Sequence, residues 1–233
     1  MRPTILLQIG LLCMLMLSTG CATNSASNFK LSNLAKSDID SVTDMHIKEV
    51  RKLSRELTIK LYKRNPRELA KAPPGTTVKK RIAQIFSNQR IQGFTELNGL
   101  KGTAAITLSF SEEYQGDRVF ALMAGISSML YSAYNYQDEF FILDEIDQQK
   151  LYNSARNLET VSWQLNNRQD HTGERYILSN GISENGIRNL SYERLFGKLI
   201  SLQDMMALLI ADTTNRNITR VVQSAASMTF LPI

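Results

Sequence analysis

The chain has 233 residues, 43% of them hydrophobic and 21% charged, with a net charge of +5; that balance excludes a disordered chain and lets one domain bury a core of ordinary size. Its two cysteines, Cys13 and Cys21, both lie near the start. A domain beyond them has no thiol for a disulfide, a thiolate metal site or a cysteine nucleophile, and must be stable by packing alone.

Arg2 is followed by an apolar run from Ile5 to Leu17, then by Ser18-Thr19-Gly20 and Cys21. A basic start, an apolar stretch and small residues are the parts of a secretion signal, and the run is shorter than the roughly 18 residues a membrane span needs. Ser18-Thr19-Gly20-Cys21 resembles the bacterial lipobox, although the leucine, Leu17, stands four before the cysteine and not three. The likeness covers residues 1–21 only. It implies a lipoprotein signal peptide over 1–20, cleavage between Gly20 and Cys21, and a diacylglycerol and an N-acyl chain on Cys21, with no other cofactor. With Ala22 and not an aspartate after the cysteine, the resemblance implies the periplasmic face of the outer membrane.

Residues 21–37 read as a lipidated flexible tether, rich in Ala, Ser, Asn and Thr without periodicity. Asp38, Asp40 and Asp44 crowd the start of a helical pattern, and Ser41 with Asp44 has capping-box spacing. Val42, Met45, Val50, Leu53, Leu57 and Leu61 fall near one face, which predicts a long amphipathic helix over about 38–64. Asn65 and Pro66 suit the cap and first turn of a short helix that Pro73-Pro74-Gly75 stops. Thr77 is placed to cap a further one carrying Val78, Ile82, Ile85 and Phe86. Gly93, Gly99 and Gly102 interrupt the pattern, and Thr103–Phe110 reads as weak helix for want of a partner strand.

Residues 117–135 are apolar nearly all round, as a central buried helix should be. At about 16 residues, with serines 127, 128 and 132 inside and acids on both sides, the segment is short for a span. Ala121, Ala124, Gly125, Ser128 and Ser132 form a small-residue ridge that allows close helix approach. Asp147 is placed to cap a helix repeating Leu151, Ala155, Leu158, Ser162 and Leu165. Asn166–Gly186 reads as loop, and a last helical region runs from Ser191 through Leu195, Leu199, Leu202, Met206 and Leu209 towards Val221, Val222, Ala225 and Met228, with Asp212–Asn215 a candidate break. The sum is an all-α protein: an irregular helical bundle around a central apolar helix, residues 38–233, behind a tether.

Chemistry-bearing motifs are sparse. His46 and His171, the two histidines, do not form a close-spaced metal motif, so no metal site is expected. Ser27-Asn-Phe-Lys30 matches S-x-x-K, but neither S-D-N nor K-T-G follows. Carboxylates at Glu112-Glu113 and Asp138-Glu139 are what remains for an enzyme, by comparison with lytic transglycosylases; the G-L-M-Q-type stretch of that family is missing. No catalytic residue is assigned.

Charge patterning says more. Between 48 and 90 thirteen basic residues face three acidic ones, a net +10, whereas 112–147 carries a net −7. Arg51, Lys52, Arg55, Lys63, Arg64, Lys79, Lys80 and Arg81 are the candidate contacts to an anionic partner, with lipid headgroups, an envelope protein and peptidoglycan all open. Alternatively the two segments face each other. The pI of about 9.2 would suit nucleic acid, which the compartment excludes. Three functions follow in order: a non-catalytic adaptor or accessory of an envelope complex, a binder or carrier of an apolar ligand such as lipid, and a carboxylate-dependent envelope enzyme. A filled core with an exposed apolar patch favours the first, a large cavity beside 119–134 the second, two facing carboxylates the third.

Overall fold

A computed structural model describes residues 37–141, 144–182, 185–220 and 229–233. The signal sequence, Cys21, the tether to residue 36, and Val221, Val222, Ala225 and Met228 lie outside the described residues. Helix α1, Asp38–Arg64, has the predicted bounds, but its capping box lies one turn before Ser41 and Asp44: Ser37 is the N-cap, and its side chain and that of Asp40 form the reciprocal pair. Asp44 is drawn elsewhere, its carboxylate accepting from the Phe140 backbone N–H at 2.9 Å. Lys63 and Arg64 sit in the last turn, at the negative end of the helix dipole.

Asn65 does not cap the short α2, Pro66–Leu69, with its side chain. Instead Nδ2 donates to the carbonyls of Leu61 and Leu178, both at 2.8 Å, and Oδ1 accepts from Leu178 N at 2.7 Å. The residue thus ties the end of α1 to a distant segment. Helix α3, Val78–Ile85, carries the expected Thr77 cap. Two 3-10 turns, Asn88–Ile91 and Thr95–Leu97, lead to α4, Gly102–Ser109, which meets the helical reading of 103–110.

Helix α5, Arg118–Ala133, is capped by Asp117, and every residue in it except Tyr131 is buried. Its small ridge does what the sequence implied, letting the first turn of α4 approach so closely that Gly125 has no room for a Cβ. Asp147 caps α6, Gln148–Asn167, which pairs with α7, Ser191–Thr214. Between them lies a short antiparallel hairpin, β1 Gly181–Ile182 with β2 Arg188–Asn189, in the register Gly181↔Asn189. Helix α7 ends at Asn215, whose left-handed φ of 52° breaks the last helical region where Asp212–Asn215 allowed.

Lys36–Ile233 forms one compact all-α unit with its own core. Leu57, Leu61, Phe120, Leu122, Leu158 and Leu199 are fully or almost fully buried at its centre. The end of the chain packs back onto this core through Phe230 and Ile233. Asn157, fully buried on α6, clasps Leu231 by donating to its carbonyl at 2.9 Å and accepting from its N–H at 2.7 Å. Among the described residues no helix is long and apolar enough to cross a membrane.

Candidate functional site

The fold sorts the basic residues into two kinds. Arg81 is 1% exposed and does not face a partner outside the domain. Its guanidinium holds Glu96 with two bonds of 2.8 and 2.9 Å, reaches Asp117 at 3.2 Å and lies 3.9 Å over the Phe120 ring. Arg81 is internal because Asp117, the α5 cap, is itself buried and needs an opposite charge. Arg51 pairs with Asp138, as Arg90 does at 3.5 Å. Here the basic and acidic segments do face each other.

The remaining candidates stay on the surface. Lys52 pairs with Glu49 one turn away at 3.0 Å, Arg55 lies over Phe86, Lys80 donates to the Gly75 carbonyl and Lys79 is exposed. Lys63 and Arg64 are exposed and make no ion pair among the described residues. A Cβ on Gly181 would come within 3.0 Å of Arg64 Nη2, so this guanidinium lies against β1. Arg64 lines a hollow together with Arg188, Ile182 and Ile187. Ile182 is 65% and Ile187 69% exposed. One end of the domain therefore brings Arg64 and Arg188, neither in an ion pair among the described residues, beside two exposed isoleucines, with Lys63 next to Arg64 in the last turn of α1.

The loop expected over Asn166–Gly186 contains β1, and β2 lies just beyond it. The hairpin's signal was Asn185-Gly186 between Ile182 and Ile187, the dipeptide favoured in hairpin turns. Arg188 and the two isoleucines were missed because exposure of an apolar residue leaves no mark in a short, aperiodic segment.

The carboxylates named for catalysis are engaged separately. Glu112 accepts from the Tyr176 hydroxyl and pairs with His171, Glu113 accepts from Ser111, and Asp138 holds the two arginines. Beside α5 lie two hollows, both partly open to solvent: a cleft of about 350 Å³, and one of about 530 Å³ lined by Gly102, Ser128, Met129 and Ser132 among others.

The two histidines are far apart in chemistry as well as sequence. His46 is 8% exposed in α1, and its Nδ1 has no hydrogen-bond partner; burial holds its pKa below the ordinary 6.5. His171 is exposed, and its hydrogen bond to Glu112 holds its pKa above that value. A titration followed by imidazole resonances should place His46 below and His171 above 6.5. Since the folded pKa of His46 lies below its unfolded value, its contribution to stability is present above about pH 6.5 and lost as pH falls through the folded pKa. His46→Asn should flatten that acid-side loss, measured as unfolding free energy against pH; the same slope in both proteins would contradict the assignment.

Compared with known proteins, the chain matches no family model, no curated protein and no solved structure.

Proposed function

We propose that this chain is a non-catalytic accessory lipoprotein, held on the periplasmic face of the outer membrane by acyl chains on Cys21, whose basic hairpin end engages an acidic envelope partner. The observation that carries the reading is the grouping of Arg64 and Arg188 around exposed Ile182 and Ile187, with Lys63 exposed beside Arg64 in the last turn of α1. Uncompensated cations steer an acidic partner to this end, and the isoleucines supply the apolar contact that makes such an encounter last. A rise of 1.5 Å per residue puts this end about 40 Å along α1 from the tether. At ~3.3–3.6 Å per residue the tether itself can reach ~55 Å, so the anchor does not restrict the end to the membrane that holds it.

The test has two arms. Cys21→Ser should abolish acyl labelling of the full chain made in a bacterium with an outer membrane; labelling that persists would remove the anchor from the reading. Lys63→Glu, Arg64→Glu and Arg188→Glu together should cut retention of the non-lipidated domain on envelope fractions by about ten-fold at low salt, with the difference narrowing as exposed charges are screened. Equal retention of wild type and triple variant would remove the basic end from it. Arg51 is left intact, because a carboxylate there would confront Asp138.

A further inference from the structure

The cleft beside α5 differs from the basic end in being almost wholly apolar with charge at one side only. Ile47 and Val50 of α1, Phe86, and Leu130 of α5 are among its lining residues. Two serines also line it, but their hydroxyls are spent on backbone: Ser54 donates to the Val50 carbonyl at 2.8 Å and Ser127 to that of Ile85 at 3.2 Å. Tyr134 and Gln137 line it too, with the Tyr134 hydroxyl and Gln137 Oε1 buried and without a hydrogen-bond partner among the described residues; the rest of the interior wall is apolar.

Arg51 and Arg90 supply the charge. Arg90 is 2% exposed, lies 3.7 Å over the Tyr131 ring and donates to the Phe86 carbonyl at 3.1 Å. Its Nε has no hydrogen-bond partner. A guanidinium brings five N–H donors in a fixed fork, and burying one of them unmet is costly. Among the described residues the acid on the pair is Asp138, which meets Arg51 directly and Arg90 at 3.5 Å, long for a charge-assisted bond. Two arginines therefore share one half-exposed carboxylate and keep a net positive charge beside the apolar cleft.

We infer that this cleft is a binding site for a single-chain fatty acid, whose acyl chain lies along Ile47, Val50 and Leu130 and whose carboxylate is received by Arg51 and Arg90. Asp138 marks the place of that carboxylate and competes for it. The 350 Å³ includes space open to solvent, so the acyl chain lies along an open groove and not in a closed cavity. Even with that space counted there is no room for the two chains of a phospholipid. The inference stands independently of the lipid anchor and of the basic end.

The probe is laurate, titrated calorimetrically into the compact unit Lys36–Ile233, with dodecylammonium as the chain of equal length and opposite charge. Laurate should bind and dodecylammonium should not. Arg51→Met should weaken laurate by about ten-fold, the loss of a charge-assisted contact. Leu130→Trp should fill the cleft and abolish binding. Asp138→Ala removes the competing carboxylate and should tighten binding by about five-fold, an effect opposite to that of a merely structural ion pair. Asp138→Asn provides the same readout if the alanine variant does not fold. Equal binding of the two amphiphiles, laurate binding that survives Leu130→Trp, or a carboxylate-free residue 138 that fails to tighten it would each overturn the inference.

Discussion

Arg81→Ala is expected to lower the unfolding free energy of the domain by ~3–5 kcal/mol, the cost of leaving a buried charge without its partner. Asp117 is 3% exposed and serves three groups at once: Arg81 at 3.2 Å, the Tyr62 hydroxyl at 2.9 Å and the Phe120 N–H at 2.9 Å, which is the cap of α5. Without Arg81 only neutral donors remain on that carboxylate, and Phe120 loses the guanidinium above its ring. Arg81→Lys should restore little, because an ammonium cannot fork onto Glu96, reach Asp117 and stack on an aromatic ring together. Arg81→Met with Asp117→Asn should cost much less than the alanine change alone, since neither charge is then stranded. A pH signature accompanies the pair. The Arg81 hydrogen bond holds Glu96 below the ordinary 4.5, so its contribution is present above about pH 4.5 and is lost as pH falls through the folded value. That acid-side slope should be shallower in Arg81→Ala. Urea unfolding followed by far-ultraviolet circular dichroism measures both effects, and a loss under about 1 kcal/mol would contradict the account.

Local chemistry was legible before any tertiary structure. Thr77 and Asp147 were readable as caps because each precedes an apolar-periodic run, and both accept from the first turn of their helix. The buried character of α5 followed from its lack of a polar face. Asn157 was not legible: an asparagine on an apolar helix face gives no local sign that it will clasp a backbone 74 positions later. Asn65 misled for the opposite reason, since its good local fit to an N-cap was overridden by the bonds to Leu178.

The candidate site was legible as a charge imbalance but not as a surface. Arg51 meets an acid 87 positions away and Arg81 one 36 away, and no count within a window can decide which cations are consumed by such pairs. Lys63 and Arg64 survive the sorting because Asp117, the acid of the −7 segment that reaches the last turn of α1, bonds Tyr62 and Arg81 instead. Their neighbours Ile182, Ile187 and Arg188 come from the far side of α6, so the apolar component of this end becomes visible only with the fold.

Gly125→Ala is expected to destabilise the domain by ~1–3 kcal/mol, whereas Gly197→Ala should stabilise it by ~0.4–1 kcal/mol. Both glycines lie inside helices, where propensity alone favours alanine by ~1 kcal/mol at each. At Gly197 of α7 a new Cβ would meet nothing within 4 Å, so the propensity gain stands. At Gly125 of α5 it would lie 2.7 Å from the Gly102 carbonyl oxygen and 2.8 Å from the Ile106 N–H nitrogen. These are backbone atoms of α4 and cannot rotate aside. Relief requires α4 to move away, and that movement would strain the 2.7 Å bond from Gly102 N–H to Ser128 Oγ on the same ridge. It would also open a gap around Ala105 and Ile106, which are fully buried. Gly125→Leu adds bulk in the same direction and should cost more. Parallel urea titrations of the three variants read the effects directly, and a stabilised Gly125→Ala would mean that α4 does not sit against α5 at this distance.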